Sequence, residues 1–245
     1  MLNVDNLSSG YRQVPVIQNV SFSVEAGETI ALIGLNGAGK STLLKTLLGL
    51  LPVQQGSVTL NGITIQENHS AYAQQIAYIP ETPILYEALT LREHLEMTAL
   101  GYGIPVEEVL ERAMPLLQQF RLENYLTWFP SHFSKGMQQK VMIVCALVTR
   151  PKLLIVDEPF LGLDALAMKQ LTELLRNLAQ QGTAIILTTH VLHLAEQLCS
   201  RFLLLQSGKL LAEGTPNVIK ATLGLPETMP FDDVYAHLAQ AGGAQ

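Results

Sequence analysis

A glycine-rich stretch carries residue types that bind phosphate groups: Gly34-Leu35-Asn36-Gly37-Ala38-Gly39-Lys40-Ser41-Thr42. Glycines allow a loop backbone to curl so that successive N–H groups face one anion. Lys40 can then reach the outer phosphates of a nucleotide, and the Ser41 hydroxyl can bind Mg²⁺. An apolar run precedes the loop and a helical pattern follows it, which is the context this motif requires. We therefore predict a nucleoside triphosphate site, in preference to a glycine-rich turn before an ordinary helix.

Two carboxylates end an apolar run at residues 153–156, where Asp157 is followed by Glu158. Such a run is typical of a strand in the middle of a sheet, and ligands bind at the carboxyl ends of these strands. Asp157 is a candidate ligand for Mg²⁺, and Glu158 a candidate for polarising the attacking water. The alternative is an acidic strand end that caps the next helix. His190 ends the next apolar strand and is a candidate contact to a γ-phosphate.

Strand and helix patterns alternate after Ser134. We expect helices over residues 135–149, 165–180 and 191–198, and strands over residues 153–156, 184–188 and 202–205. This alternation predicts a largely parallel, buried sheet. The first 62 residues are strand-rich, a short strand is expected at 76–79, and residues 91–128 carry helix-period apolar positions.

Composition limits the possible classes of protein. The 15 basic and 21 acidic residues give a net charge of −6 without a basic cluster, which argues against nucleic-acid binding. Cys145 and Cys199 have no metal-ligand spacing and are expected to be buried in a reducing compartment. No apolar run reaches about 18 residues, so we expect no membrane span, and the N-terminus gives no sign of a signal peptide.

Taken together, the motifs resemble those of the ATP-binding-cassette (ABC) ATPase family over nearly the whole chain. Residues 133–141, Phe-Ser-Lys-Gly-Met-Gln-Gln-Lys-Val, lie where that family has its signature loop and helix. Tyr11 resembles the aromatic residue that stacks on adenine, and Leu161-Gly162-Leu163-Asp164 is similar to the family's D-loop. Residues 78–95 and 133–137 resemble, more specifically, the Ecs-type bacterial ATPases, which work with a multispanning membrane subunit and are thought to act in export.

The resemblance implies an α/β fold of the P-loop NTPase type, with a mixed-sheet core, an N-terminal antiparallel β subdomain and an inserted α-helical subdomain. We expect a single domain over residues 1–245. Its nucleotide-binding core would comprise residues 1–90 and 150–214, and its helical subdomain residues 91–149, including the signature loop. Residues 215–245 would form a C-terminal helical appendage.

The resemblance also implies a function, which is Mg²⁺-dependent ATP hydrolysis coupled to transport. Glu158, His190 and Lys40 would be catalytic, and Ser41, Asp157 and Glu81 would hold the metal. The phosphate loop and Tyr11 would bind ATP, while Ser134 and the Gly136 backbone would contact the ATP of a second ATPase subunit. Asp164 would help to couple the two sites. Both a homodimer and a related heterodimer fit this pattern.

Two departures from the family pattern sharpen the expectations. The commonest signature is Leu-Ser-Gly-Gly-Gln, but here Phe133, Lys135 and Met137 replace three of its residues. Lys135 would either meet phosphate or point to solvent. Glu81 stands where the family usually has Gln, and a carboxylate binds hard cations more strongly than an amide. We hypothesise that Glu81 keeps a metal or water contact and alters coupling to the nucleotide state.

We expect the protein to lie on the cytoplasmic face of the membrane through a multispanning permease subunit. Leu85, Leu89 and Leu91 are candidate contacts to it, although ordinary core packing is favoured for most of them. One rival function is a soluble ABC-type ATPase acting on ribosomes or DNA, which the acidic charge and the single set of motifs disfavour. A second is a non-catalytic regulatory cassette, which Glu158 and His190 disfavour.

Overall fold

The computed structural model describes residues 1–12, 14–234 and 237–238. The strands of this part of the chain are β1 (Leu2–Tyr11), β2 (Val14–Val24), β3 (Thr29–Ile33), β4 (Gln55–Leu60), β5 (Ile63–Thr64), β6 (Ile76–Ile79), β7 (Leu153–Asp157), β8 (Ala184–Thr188), β9 (Arg201–Gln206) and β10 (Lys209–Gly214). The helices are α1 (Lys40–Leu47), α2 (His69–Ala73), α3 (Leu91–Tyr102), α4 (Val106–Phe120), α5 (Lys135–Leu147), α6 (Ala165–Gln180), α7 (Leu192–Leu198) and α8 (Pro216–Thr222). Short 3₁₀ turns at Glu123–Tyr125 and Pro130–His132 connect α4 to α5.

The strands form two sheets. The smaller sheet has the order β2-β1-β4-β5 and is antiparallel throughout. The larger sheet has the order β10-β9-β3-β8-β7-β6, and its strands run parallel except for the antiparallel pair of β9 and β10. The mixed α/β architecture that we expected, with its antiparallel N-terminal sheet, is therefore confirmed.

Each buried strand of the large sheet divides its side chains between two cores. In β7, Leu154 and Val156 pack with the helices on one face, while Leu153 and Ile155 pack with the small sheet and α1 on the other. This is the consequence of side chains alternating across a strand. The fully apolar run of β7 is thus explained by apolar neighbours on both faces.

The helical segment between β6 and β7 packs through stripes of residues spaced one turn apart. Leu91, Leu95 and Ala99 of α3 are buried, as are Val109 and Ala113 of α4. A spacing of four residues places side chains on one helix face. These stripes join the core that covers one face of the large sheet.

Several elements differ from the sequence-based expectations. Strands β5 and β10 and helix α2 were not expected, because each is short or lacks a clear apolar period. Within residues 215–245 the structure has α8, then mainly turns as far as Asp232, and helical backbone at residues 233–234 and 237–238. Residues 235–236 and 239–245 lie outside the described part of the chain. The division into a core, a helical subdomain and an appendage stays a prediction. Among the described helices, none is both long and apolar enough to cross a bilayer.

Candidate active site

Three strands of the large sheet end at one edge with polar residues. β8 lies between β3 and β7, and all three run parallel. Asp157, the last residue of β7, pairs with Thr188, the last residue of β8. Because the carboxyl ends of parallel strands meet at one edge, the phosphate loop after β3 and the residues after β7 and β8 come together.

A cavity of about 230 Å³ opens at this edge. Its walls combine the loop of the predicted phosphate site with all of the predicted metal-binding and catalytic residues. They are formed by Val16, Leu35, Asn36, Gly37, Gly39, Lys40, Ser41, Thr42, Glu81, Asp157, Glu158 and His190. Residues from five separate chain segments, spread over more than half of the sequence, therefore share one concave surface.

The phosphate loop depends on glycine for its shape. Gly37 and Gly39 have φ angles of +81° and +106°, which glycine adopts without strain. A Cβ at Gly39 would also lie 2.9 Å from Ile17 Cγ2. Helix α1 begins at Lys40, directly after the loop, so its first N–H groups and the positive end of its dipole point towards the cavity.

Lys40 bends back over the loop that precedes it. Its Nζ donates hydrogen bonds to the Gly34 carbonyl at 2.6 Å and to the Leu35 carbonyl at 3.2 Å. Burial lowers the pKa of Lys40, and the charges of Glu158 and Asp157 oppose that shift. An anion bound in the loop would stabilise this partly desolvated ammonium group, as the phosphate-binding role requires.

Both oxygens of the Asp157 carboxylate accept hydrogen bonds from hydroxyl groups. The Thr188 hydroxyl donates to Oδ1 at 2.5 Å, and the Tyr78 hydroxyl donates to Oδ2 at 3.2 Å. Burial, reinforced by Asp157 itself, raises the pKa of Tyr78, so this hydroxyl keeps its proton and acts as a donor. The orientation of the carboxylate is therefore fixed from both sides.

Glu158 has an unusual backbone and a strained position. Its φ angle is +47°, in the left-handed region that non-glycine residues seldom adopt. Its N–H donates to both the carbonyl and the hydroxyl oxygen of Thr188, each at 3.1 Å. These bonds hold the turn after β7 against the end of β8.

The Glu158 side chain faces His190. Oε2 accepts the His190 backbone N–H at 3.1 Å, and Oε1 lies 3.4 Å from His190 Nε2. Burial raises the pKa of Glu158, and the nearby His190 partly offsets the increase. A carboxylate whose proton affinity is increased in this way is a better general base at neutral pH.

The cavity offers oxygen donors that suit Mg²⁺. The Ser41 hydroxyl and the Glu81 and Asp157 carboxylates all line it. Mg²⁺ is usually held by one or two carboxylates together with substrate phosphates and water, so the donor set fits this ion. Over the described residues, no group of three or more His, Cys, Asp or Glu side chains is arranged to hold a metal.

Six of the predicted site residues are not among those that line this cavity. Two of them, Gly34 and Ala38, belong to the phosphate loop itself, and the other four lie elsewhere in the chain. Ser134 is exposed and caps α5 by accepting the Met137 N–H at 3.4 Å. Asp164 caps α6 by accepting the Ala167 N–H at 2.7 Å. Tyr11 is 46% exposed, and its hydroxyl accepts a hydrogen bond from Lys45.

The signature loop and the D-loop are neighbours. A Cβ on Gly136, the fourth of these residues, would lie only 2.9 Å from the Gly162 carbonyl oxygen. This close approach explains why glycine suits position 136. Lys135, which the sequence left open between phosphate and solvent, is exposed at the start of α5.

Tyr78 and Thr188 contact Asp157 but were not predicted as site residues from the sequence. Both lie beside motifs that were recognised, three residues before Glu81 and two before His190. Their hydroxyls meet Asp157 only because β6 and β8 flank β7. The signal in the sequence was a hydroxyl residue near the end of each of these two strands. It indicates a contact with Asp157 only once the order of the strands in the sheet is known.

Comparison with known proteins identifies related chains. A family profile described as ABC transporter matches residues 17–161. The chain is 47% identical to the ABC-type transporter ATP-binding protein EcsA of Bacillus subtilis (strain 168) over 240 residues, which cover 98% of this chain and 97% of EcsA.

Two solved structures are also similar. The first, described as the ATP-binding subunit of an ABC transporter, has a TM-score of 0.91 and 47% identity, and the match covers 98% of this chain and 99% of that one. The second is a dimeric, post-hydrolysis state of the ATP-binding cassette MJ0796 bound to ADP and Pi, with a TM-score of 0.78 and 25% identity. That match covers 88% of this chain and 98% of the other.

Replacing Lys40 by Met tests the phosphate site. Lys40→Met removes the ammonium group that bridges the loop and keeps most of the side-chain length. A hydrogen bond to a charged group is worth about 1.5–3 kcal/mol, so ATP affinity should fall by roughly 10- to 150-fold. Titration with a fluorescent ATP analogue would measure this. Lys209→Met, at an exposed position on β10, is the control and should bind like the wild type. Equal affinities in the two variants would contradict the assignment.

Proposed function

The chain belongs to the ABC transporter family, and on that premise we propose that it is the ATPase subunit of a bacterial transporter that works in export. The observation that carries this proposal is the convergence of Lys40, Asp157, Glu158 and His190 on one cavity. Binding of ATP would close two ATPase subunits on each other, and hydrolysis would let them separate. The export role rests on the likeness to the Ecs-type subgroup.

Each side chain in the cavity has a role in this proposal. Lys40 and the loop N–H groups hold the β- and γ-phosphates. Ser41, Asp157 and Glu81 hold Mg²⁺, which neutralises charge that develops on the phosphate oxygens. Glu158 orients the attacking water and accepts its proton. His190, whose side chain is about half exposed beside Glu158, donates to the γ-phosphate.

We further propose that a second subunit completes the site. Ser134 is exposed, its loop packs against the D-loop at Gly136, and it is not among the residues that line the cavity of its own chain. This placement supports a contact of Ser134 and the Gly136 backbone with the ATP held by another chain, with Asp164 beside them. Tyr11 would stack on adenine. The second chain is either another copy or a related subunit.

An apolar surface beside Glu81 is the proposed docking site for the membrane permease. Ile84 and Tyr86 are 68% and 57% exposed, and Trp128 is 57% exposed. The Leu91 N–H donates to the Trp128 carbonyl at 2.9 Å, so the segment after Glu81 and the end of the helical segment are adjacent. Docking here would hold the protein at the inner face of the cell membrane. No nucleic-acid partner is part of this proposal.

Of the three leucines considered as permease contacts from the sequence, Leu91 is fully buried and Leu85 packs partly buried against the core. The favoured alternative, core packing, therefore holds for both. Leu89 is half-buried. The exposed apolar residues are their neighbours Ile84 and Tyr86.

A buried hydrogen bond links Pro80, the residue before Glu81, to helix α5, which follows the signature loop. Gln139, on α5 and 2% exposed, donates from Nε2 to the Pro80 carbonyl at 3.2 Å. Helix α5 starts at the residue after Ser134, and Pro80 immediately precedes Glu81. A shift of the Glu81 segment would therefore move helix α5 and the signature loop at its start. This link supports a role for Glu81 in coupling the nucleotide state to the membrane subunit.

Replacing Glu158 by Gln should separate ATP binding from hydrolysis. Removing the general base should lower turnover by about 10²- to 10⁴-fold, while the phosphate loop stays intact. The variant should then accumulate with ATP and Mg²⁺ as a closed dimer of the 26.8 kDa chain, detected by gel filtration with light scattering. A variant that hydrolyses ATP at the wild-type rate, or that stays monomeric with saturating ATP, would count against the proposal.

Replacing Glu81 by Gln tests the metal role of this carboxylate. A neutral amide binds a hard cation less strongly, so Glu81→Gln should require several-fold more Mg²⁺ for half-maximal ATPase activity. Glu87→Gln, an exposed carboxylate in the same segment, is the matched control and should behave as the wild type. An unchanged rate and unchanged Mg²⁺ dependence in Glu81→Gln would refute the hypothesis.

A further inference from the structure

Asp157 is held between two hydroxyl groups that belong to the strands on either side of it. Thr188 is at the end of β8 and Tyr78 is in β6, while Asp157 ends the intervening strand β7. Tyr78 pairs with Ile155, two residues before Asp157, so the Tyr78 ring and the Asp157 side chain share a face of the sheet. Ile155 and Tyr78 pack with the core on the α1 side, which is the side where Ser41 lies.

The direction of each hydrogen bond follows from the donors available. Thr188 has one hydroxyl proton, which it donates to Asp157 Oδ1 at 2.5 Å, and its oxygen accepts the Glu158 N–H at 3.1 Å. Tyr78 donates to Oδ2 at 3.2 Å. Thr188 therefore fixes the Asp157 carboxylate and the Glu158 backbone at the same time.

A carboxylate with one hydroxyl donor on each oxygen cannot rotate freely about its terminal bond. It retains further lone pairs on both oxygens, since an ionised carboxylate accepts up to about four hydrogen bonds or metal contacts. The oxygens are thus presented to the cavity in one orientation before any ligand arrives. This preorganisation matters for Mg²⁺, which demands near-ideal octahedral geometry.

We propose that Tyr78 and Thr188 are positioning residues for the metal site, orienting the Asp157 carboxylate towards Mg²⁺ bound with ATP. This inference rests on the proposed function, because it concerns the metal that the ATPase would use. Partners that orient a metal ligand typically change metal affinity or activity by about 10- to 100-fold when they are removed. Tyr78 also lies three residues before Glu81, so its hydrogen bond ties the start of the Glu81 segment to Asp157.

The chain contains matched controls for both hydroxyls. Tyr102 donates from its hydroxyl to the Ile76 carbonyl at 2.6 Å, at the opposite end of β6. Thr183 donates from its hydroxyl to the Pro151 carbonyl at 3.1 Å, just before β8 begins. Tyr102→Phe and Thr183→Val therefore each remove one hydroxyl hydrogen bond to a backbone carbonyl, at the end of the sheet opposite the carboxylates.

The test measures metal binding directly. Mn²⁺ is titrated into the protein with a non-hydrolysable ATP analogue, and free Mn²⁺ is followed by electron paramagnetic resonance. Tyr78→Phe and Thr188→Val should each weaken Mn²⁺ binding by about tenfold or more, while metal-free binding of the analogue stays at the wild-type value. Both control variants should keep wild-type Mn²⁺ affinity. The half-saturating Mg²⁺ concentration for ATPase activity should rise in parallel, with little change in the KM for ATP at saturating Mg²⁺.

Further outcomes make the result decisive. Thr188→Ser keeps the hydroxyl and should restore Mn²⁺ affinity, and if Thr188→Val does not fold, Tyr78→Phe alone decides. Wild-type Mn²⁺ affinity in a folded Tyr78→Phe variant, or an equal loss in the control variants, would overturn the positioning role. If the wild type itself neither binds Mn²⁺ with the analogue nor hydrolyses ATP, the proposed function fails rather than this inference.

Discussion

In the large sheet, β3, β8 and β7 run parallel with Asp157 opposite Thr188, and this pairing brings three distant chain segments to one edge. The phosphate loop follows β3, Asp157 ends β7 with Glu158 directly after it, and His190 lies two residues after the end of β8. A shift of β7 by one residue relative to β8 would turn Asp157 towards the other face of the sheet, because side chains alternate. The apolar cores on both faces oppose such a shift, because alternate side chains of each strand pack in one core or the other and would lose these contacts.

The charged side chains at this edge suit a phosphate group bound together with a metal ion, because Lys40 stands beside the carboxylates of Glu81, Asp157 and Glu158. Lys40 is partly buried and bonds only to neutral carbonyls among its described hydrogen-bond partners, while burial raises the pKa of Glu158. A phosphate group placed in the loop would offset the cost of burying Lys40, and the bound metal would stabilise the carboxylates. Ser134 caps the start of α5 and is exposed there. The signature residues could therefore contact a second subunit. Binding energy from ATP could therefore be used to close two chains on each other.

Much of this could be predicted from the sequence because the chemistry is local. The phosphate loop, Asp157, Glu158 and His190 each lie next to an apolar strand pattern, and parallel strands bring such ends together. The exposed apolar residues were less predictable: helical periodicity favours burial of Leu91, but it does not show that Ile84 and Tyr86 are exposed. Short elements such as β5 and α2 carry too few residues for a period to emerge. The roles of Tyr78 and Thr188 depend on which strands flank β7, and no local pattern specifies that order.

The central claim is that each chain carries half of a hydrolytic site. Mixing two inactive variants tests it most directly. Lys40→Met lacks the phosphate contact, whereas Ser134→Asp keeps a good helix cap but places a negative charge where the partner's γ-phosphate would lie. A mixed dimer would contain one intact site, built from the loop of the Ser134→Asp chain and the signature of the Lys40→Met chain. The account predicts that ATP turnover appears on mixing; a mixture as inactive as either variant alone would contradict it.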